Sequence, residues 1–271
     1  MPAFSARLAD MERIHSRKNV RIRHLVQLRK AEVRRQCGQF LIEGLRESQR
    51  AVRNSVEILD IFVSDFAVDK LQSLQTQCEQ HVVSDEVFQI ISARENPDGI
   101  LCVGKIPPNS LPSALPDNSL VVVVERMEKP GNLGALLRTM DAVGCALLLV
   151  SDPLTDLWNP NVVRSSQGAL FAVPSAVCSN EEALIFLRKN SVKIVATTPA
   201  ASRTYWNALP KSTMAVVAGN EHSGLSDFWL QNSDLQVSIP MRGRASDSLN
   251  VHTATALVLY EALRQSMHTD T

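Results

Sequence analysis

The chain has 271 residues, is 45% hydrophobic and 21% charged, and carries 28 Lys+Arg against 28 Asp+Glu, a net charge of zero. This is the composition of a soluble globular protein, long enough for a real core in one large or two modest domains. No run of about 18 apolar residues exists, which excludes a membrane-spanning helix. The 5 cysteines include no C-x-x-C pair and the 6 histidines have no metal-ligand spacing, so a disulfide framework and a bound metal are not expected.

Zero net charge conceals an uneven distribution. Residues 1–50 hold 12 Lys/Arg against 5 Asp/Glu, a surplus of 7 that the remainder balances. Residues 1–18 read as a mobile basic extension. The Arg-rich start raises an organelle transit segment, but Asp10 and Glu12 argue against it, leaving a cytoplasmic protein as the expectation. Arg17, Lys18, Arg21 and Arg23, then Arg29, Lys30, Arg34 and Arg35, form a strip able to neutralise phosphates. Taken alone, such a strip is more simply a solvated helix face.

From residue 19 to about 106 helical and strand patterns alternate. Helices are predicted over Val20–Cys37, Glu47–Asn54, Val68–Cys78 and Ser84–Ile91, and strands over Phe40–Glu43, Glu57–Val63, His81–Val83 and Leu101–Val103. This is a small α/β unit. Residues 107–119 contain Pro107, Pro108, Pro112 and Pro116 and read as a stiff, extended linker. From residue 120 onward, aliphatic strands at Val121–Val124, Leu147–Val150, Lys193–Thr197, Met214–Ala218 and Leu235–Ile239 are separated by helices near Leu133–Val143, Glu181–Lys189 and Leu249–Arg264. Continuous aliphatic strands between helices imply a parallel sheet covered on both faces.

Three stretches of the second domain carry candidate chemistry. Pro130-Gly131 turns the chain after the first strand and sets Asn132 at an expected helix N-cap. Leu133, Leu136, Leu137, Met140 and Val143 follow at core-facing helical spacing, while Gly134 and Arg138, four apart, share another face. By itself Arg138 reads as a surface residue paired with Asp141. Gly219-Asn220-Glu221 opens a loop at a strand end, where ligands of parallel sheets bind, and His222 reads as solvent-facing. The strand ending at Ile239 stops at Pro240. After a polar loop, Ser248-Leu249-Asn250 opens a helix too apolar to stand uncovered.

In order and spacing these blocks resemble the signature of the SpoU/TrmH-type RNA ribose methyltransferases of the SPOUT class. Val162–Pro174, Arg23–Glu47 and Pro97–Val103 extend the likeness over nearly all the chain beyond residue 20. The resemblance implies a C-terminal trefoil knot, which periodicity does not predict, a homodimer, and a ribosomal-protein-like RNA-binding domain before the catalytic one. It implies S-adenosylmethionine as methyl donor, held by Thr197, Gly219, Asn220, Glu221, Ile239, Met241, Ser248, Leu249 and Asn250. It implies a catalytic set of Arg138, Asn132, Glu221, Ser248 and Asn250, with RNA contacts from Arg23, Arg29, Lys30, Arg34, Arg35 and Arg164. Lys129 departs from the pattern, standing where many members have Asp. The implied substrate is structured RNA, large-subunit ribosomal RNA before tRNA. An inactive RNA-binding relative is the non-enzyme alternative, and a nucleotide-dependent oxidoreductase fails for want of G-x-G-x-x-G after the first strand.

Overall fold

The computed structural model describes residues 11, 13–74, 76–243 and 248–267. Asp10, Glu12 and most of the expected extension lie outside them, as do residues 244–247 of the loop before the last helix. The chain divides into two compact units. One runs to Pro108 and takes in Trp158–Phe171; the other holds Asn109–Leu157 and the chain from Ala172. The sequence reading had kept residues 120–271 together, whereas the stretch Trp158–Phe171 belongs with the first unit.

The first unit is built on a mixed five-stranded sheet. Its elements are β1 (Arg13–Ile14), helices α1 (Val20–Gln27) and α2 (Ala31–Cys37), β2 (Gln39–Glu43), α3 (Leu45–Arg53), β3 (Ile58–Ser64), a 3-10 helix (Asp65–Ser73), β4 (Glu79–Val83), α4 (Asp85–Ile91) and β5 (Ile100–Lys105). The strand order is β1-β4-β3-β5-β2. Within the segment expected to be mobile, Arg13–Ile14 pairs in parallel with Val82–Val83, and Ile14 is buried in the core beside Ile22, Leu25 and Phe88. The helix expected over Val68–Cys78 is instead the 3-10 run ending at Ser73. It buries only Ala67 and Leu71, too narrow an edge to reward a full α-helix by packing. Arg21 stands between Asp60 and Glu79, at 3.5 and 3.0 Å, and offsets the acidic pair beside His81.

One predicted helix, Val20–Cys37, is two. The chain breaks at Leu28-Arg29-Lys30, with Leu28 fully buried. Arg34 closes the break: its Nη1 donates to the carbonyls of Leu28 and Arg29, each at 2.8 Å, satisfying acceptors that the end of α1 leaves open. Arg34 is 1% exposed, so its expected contact with RNA is corrected to a structural role. Arg29 is exposed but donates to the carbonyls of Ile90 and Ser92. Arg23, Lys30 and Arg35 are exposed.

The stretch from Trp158 places α6 (Pro160–Ser166) against β2, with the Trp158 and Phe171 rings 4.6 and 6.1 Å from that of Phe40. Arg50 donates to the Gln167 carbonyl and lies over Gly168, where an added Cβ would fall 2.6 Å from its side chain. Arg164 is exposed on α6 and donates to Asn161.

The second unit is a six-stranded, wholly parallel sheet. Its elements are β6 (Leu120–Glu125), α5 (Pro130–Val143), β7 (Leu147–Ser151), β8 (Ser175–Cys178), α8 (Asn180–Lys189), β9 (Lys193–Thr197), β10 (Met214–Ala218), α9 (Asp227–Asn232), β11 (Leu235–Val237) and α10 (Val251–Met267); the short α7 (Ala169–Ala172) closes the first unit's Trp158–Phe171 stretch. The order is β11-β9-β10-β6-β7-β8. One face of β6, β7 and β10, through Val121, Val123, Leu147, Leu149, Ala215 and Val217, meets Ala183, Phe186, Leu187 and Trp229 of α8 and α9. α10 packs against α5 and β10. β8, unseen in the sequence, is an edge strand. The Asn109 side chain covers it, exchanging two 2.8 Å hydrogen bonds with the backbone of Val177, while Leu111 and Leu115 pack on the core. The Pro-rich stretch therefore shields a sheet edge of the second unit.

Replacing Arg34 with Met should leave two inward carbonyls without a donor. The expected loss is about 1–3 kcal/mol of stability in urea unfolding, whereas Arg35→Met at the exposed neighbouring position should cost close to nothing.

Candidate functional site

The carboxyl ends of β9, β10 and β11 open into a cavity of about 610 Å³. Parallel strands end together on one side of a sheet, and the loops leaving them are free to bind ligands. Thr197 closes β9, Ala218 closes β10, and Ile239 follows β11; all three line the cavity. Gly219, Asn220, Glu221, Met241, Ser248, Leu249 and Asn250 line it too, so every residue of the expected cofactor set borders one space. Thr198, Pro199, Leu225, Leu230, Val251, Ala254 and Thr255 complete most of the wall. Thr198 and Pro199 follow a strand end, so the strand-end rule could have found them. Thr255 and Ala254 carry no such signal, because only the folded helix turns them inward.

The loop from Gly219 to Gly224 is closed on itself by two backbone hydrogen bonds between Asn220 and Gly224, each 3.0 Å. The Asn220 Oδ1 accepts from the N–H groups of His222 and Ser223, and its Nδ2 donates to the Arg126 carbonyl at 3.0 Å. Gly219 is obligatory here. A Cβ would lie 2.2 Å from the Gly224 carbonyl group and 2.3 Å from the Leu225 nitrogen, all of them backbone atoms. A second clamp holds the loop's far end. Glu125, 2% exposed at the end of β6, accepts from the Ser226 N–H at 2.8 Å, the Ser226 hydroxyl at 2.6 Å and Asn180 Nδ2 at 2.9 Å. Trp229 Nε1 in turn donates to Asn180 at 2.7 Å. A Glu ending an aliphatic strand gave no hint of this.

Three distant blocks meet through their side chains. Asn132 Nδ2 donates to Glu221 Oε1 at 2.7 Å, Asn250 Nδ2 donates to Asn132 Oδ1 at 3.1 Å, and the His252 N–H donates to Asn250 Oδ1 at 3.0 Å. Asn132 is therefore a bridge and not the expected N-cap. α5 begins at Pro130, with Lys129 as its cap residue, and Asn132 lies within the first turn. Burial pushes the Glu221 carboxyl up, but the Asn132 amide and the N–H groups of Glu221, Glu128 and Lys129 outweigh it and hold it below the usual carboxylate range. Its Oε2 is buried and has no donor in good hydrogen-bond geometry.

Arg138 is exposed on α5, outside the cavity lining, and its side chain has no hydrogen bond or ion pair among the described residues. It does not pair with Asp141. His252 was not singled out in the sequence. It hydrogen-bonds Thr139 at 3.0 Å, and burial, then the Arg138 charge, lowers its pKa. Thr197 donates its hydroxyl to the Val217 carbonyl at 2.9 Å.

The loop beyond Pro199 is pinned from two sides. Tyr205 and Ser238 bond through backbone at 3.1 Å, and Glu261 of α10 accepts from the Asn207 N–H at 3.0 Å while pairing with Arg264 at 2.8 Å. The Arg264 bond leads in pulling the Glu261 carboxyl down to about 2.

A family model for the SpoU rRNA methylase family matches residues 119–260, and one for an MRM3-like substrate binding domain matches residues 19–102. The 23S rRNA (guanosine(2553)-2′-O)-methyltransferase RlmP of Bacillus subtilis is 28% identical over 251 residues, 92% of this chain and 98% of its own. A crystal structure titled RNA 2′-O ribose methyltransferase superposes with a TM-score of 0.83 at 38% identity, covering 94% of this chain and 99% of that one. The SpoU methyltransferase AviRb from Streptomyces viridochromogenes, solved in complex with AdoMet, gives 0.84 at 28% identity, covering 92% and 100%.

Gly219→Ala should force the 219–225 backbone apart. The expected result is loss of ligand uptake by the cavity in calorimetry, with a lowered Tm. For Glu261, whose folded pKa lies below the ordinary 4.5, the stabilisation is complete above 4.5 and disappears as pH falls towards about 2. Glu261→Gln should therefore reduce stability at neutral pH and flatten the acid limb of a Tm-versus-pH curve.

Proposed function

The chain belongs to the SpoU rRNA methylase family, and from that premise we propose that it transfers the methyl group of S-adenosylmethionine to a ribose 2′-hydroxyl of structured RNA, large-subunit ribosomal RNA in particular. The observation that carries this reading is the convergence of Asn132, Glu221 and Asn250 on a cavity bordered by all the expected cofactor residues. The B. subtilis relative acts on 23S rRNA and the AviRb structure holds AdoMet, which supports both halves of the reading.

The residues fit the donor's chemistry. Ile239, Leu249, Val251 and Ala254 supply apolar walls for a purine, and the backbone of Ile239 and Met241 supplies edge hydrogen bonds. The hydroxyls of Ser248 and Thr198 and the amide of Asn250 suit polar ends. The Glu221 carboxylate, held in its charged form at the cavity wall, suits a ligand bearing positive charge. When bound, the sulfonium supplies an electrophilic methyl group: the S–C bond breaks, an O–C bond forms to the ribose oxygen, and the hydroxyl proton departs to phosphate or solvent.

Within this reading the protein aligns and stabilises. Asn132 and Asn250 fix the Glu221 side chain and the start of α10, so the cavity is set before substrate arrives. Arg138, exposed and without an internal partner, clamps the neighbouring phosphate and stabilises the emerging alkoxide by its charge. A guanidinium keeps its proton and is a poor proton acceptor, so Arg138 acts by charge. The exposed Arg23, Lys30, Arg35 and Arg164 supply phosphate contacts, with the first unit as the RNA-binding domain.

The reading includes the trefoil knot that the resemblance implies, with the loop after Gly219 and the stretch Ile239-Pro240-Met241 as parts of it. It also includes a homodimer, supported by Leu257, Tyr260 and Met267, exposed along one side of α10. No described helix is long and apolar enough to cross a membrane; the reading takes the enzyme as cytoplasmic, a compartment that ribosomal RNA as substrate fits.

Arg138→Ala should take up S-adenosylmethionine normally in calorimetry yet lose about 10²–10³-fold in turnover, read as tritium transfer to ribosomal RNA. Arg138→Lys retaining near-normal turnover and RNA affinity would contradict the fork-like contact. Deletion of the protein that leaves rRNA marks intact and removes a tRNA mark would overturn the substrate.

A further inference from the structure

We propose that Arg126 is a phosphate contact for the RNA backbone at the mouth of the cavity; the inference rests on the reading above and names a residue of its substrate surface. Arg126 follows β6 directly and adopts φ 50°, the left-handed region where a residue with a Cβ is strained and glycine is not. The fold explains the backbone. Arg126 N–H donates to the Ser151 carbonyl at 2.9 Å, and its own carbonyl accepts Asn220 Nδ2 of the cavity loop at 3.0 Å.

The fold does not explain the side chain. It is exposed and makes no hydrogen bond or ion pair among the described residues. Glycine would serve the same two backbone bonds without strain, so the guanidinium is retained at a conformational cost that nothing inside the chain offsets. Strain of this kind at a strand end, beside a binding loop, points to a ligand.

The surroundings select an anion. Lys129, three residues on, is exposed and lines the cavity, and Arg138 is exposed on the helix that follows. Glu128 is the exposed acid of the same connection, while the Glu221 carboxylate is engaged by Asn132. Arg126, Lys129 and Arg138 against Glu128 and the ionised Glu221 leave one net positive charge where substrate must approach, with the three cations on exposed residues. Extended polyanions gain affinity from such charges by counterion release, and arginine binds a phosphodiester with two parallel donors.

The test compares Arg126→Gly with the wild type. Tm should be unchanged or higher, because the strain is relieved, and S-adenosylmethionine uptake should be unchanged. Affinity for a large-subunit rRNA transcript should fall roughly three- to tenfold near 0.1 M salt, with the log K versus log salt slope shallower by about one. Arg126→Asn, which also tolerates the left-handed region, should repeat the binding loss if the glycine variant misfolds, and Arg126→Lys should restore the slope. Wild-type affinity and slope in both uncharged variants overturns the inference. Failure of the wild type to methylate any RNA overturns the parent reading instead, and the binding comparison still decides the contact.

Discussion

The site depends on one short chain of amide and carboxylate hydrogen bonds. Asn250, Asn132 and Glu221 lie 118 and 89 residues apart along the chain, and the two contacts of 3.1 and 2.7 Å bring their loops into one wall. Each member has a second tie: Asn250 caps the His252 N–H, Asn132 sits in the first turn of α5, and Glu221 is seated by backbone N–H groups of the β6–α5 connection. Such a network is costly when half satisfied. The Glu221 Oε2, buried without a donor in good geometry, is the member least well satisfied.

Rigidity around that opening comes from the sheet. β6 and β10 are neighbours, and the loop leaving β10 is tied back to the end of β6 at both its margins, through Asn220 to Arg126 and through Ser226 to Glu125. Between those ties the chain turns too tightly for any side chain at Gly219. The same sheet end carries two non-glycine residues in left-handed conformation, Arg126 and Asp152, at the ends of adjacent strands β6 and β7. At these two positions the parallel ladder stops and the chain turns away sharply.

The strands of the second unit were legible because a parallel sheet buried on both faces demands unbroken aliphatic runs, and Val121–Val124, Leu147–Val150 and Met214–Ala218 are such runs. Ser175–Cys178 has none and forms a strand only at the edge, where Asn109 supplies its partner. The break in Val20–Cys37 was hidden because the residue that heals it, Arg34, looks like any surface cation in a basic strip. Composition cannot report that a guanidinium has turned inward onto two carbonyls. The cavity residues were legible as blocks through the resemblance, since strand-end position alone would have named Thr197, Gly219 and Ile239 and little more. His252, the Glu125 clamp and the inward face of α10 depend on tertiary placement that no local pattern encodes.

The placement of Arg138 outside the cavity lining bears on how charge is managed. Set on the exposed face of α5, Arg138 adds no further positive charge to a lining that already includes Lys129 and is meant for a sulfonium. Its neighbour His252 is held towards the neutral form by burial and by the Arg138 charge itself, so near neutral pH the pair tends to present one positive charge and not two. The Thr139 hydroxyl keeps the imidazole in place. Acidification through the lowered His252 pKa would add a second charge beside the first, and the effect on an approaching polyanion would be attraction, while its effect on a bound sulfonium would be repulsion. The two ligands of the proposed reaction therefore place opposite demands on this corner. A neutral imidazole beside the guanidinium limits the charge at this corner to that of Arg138.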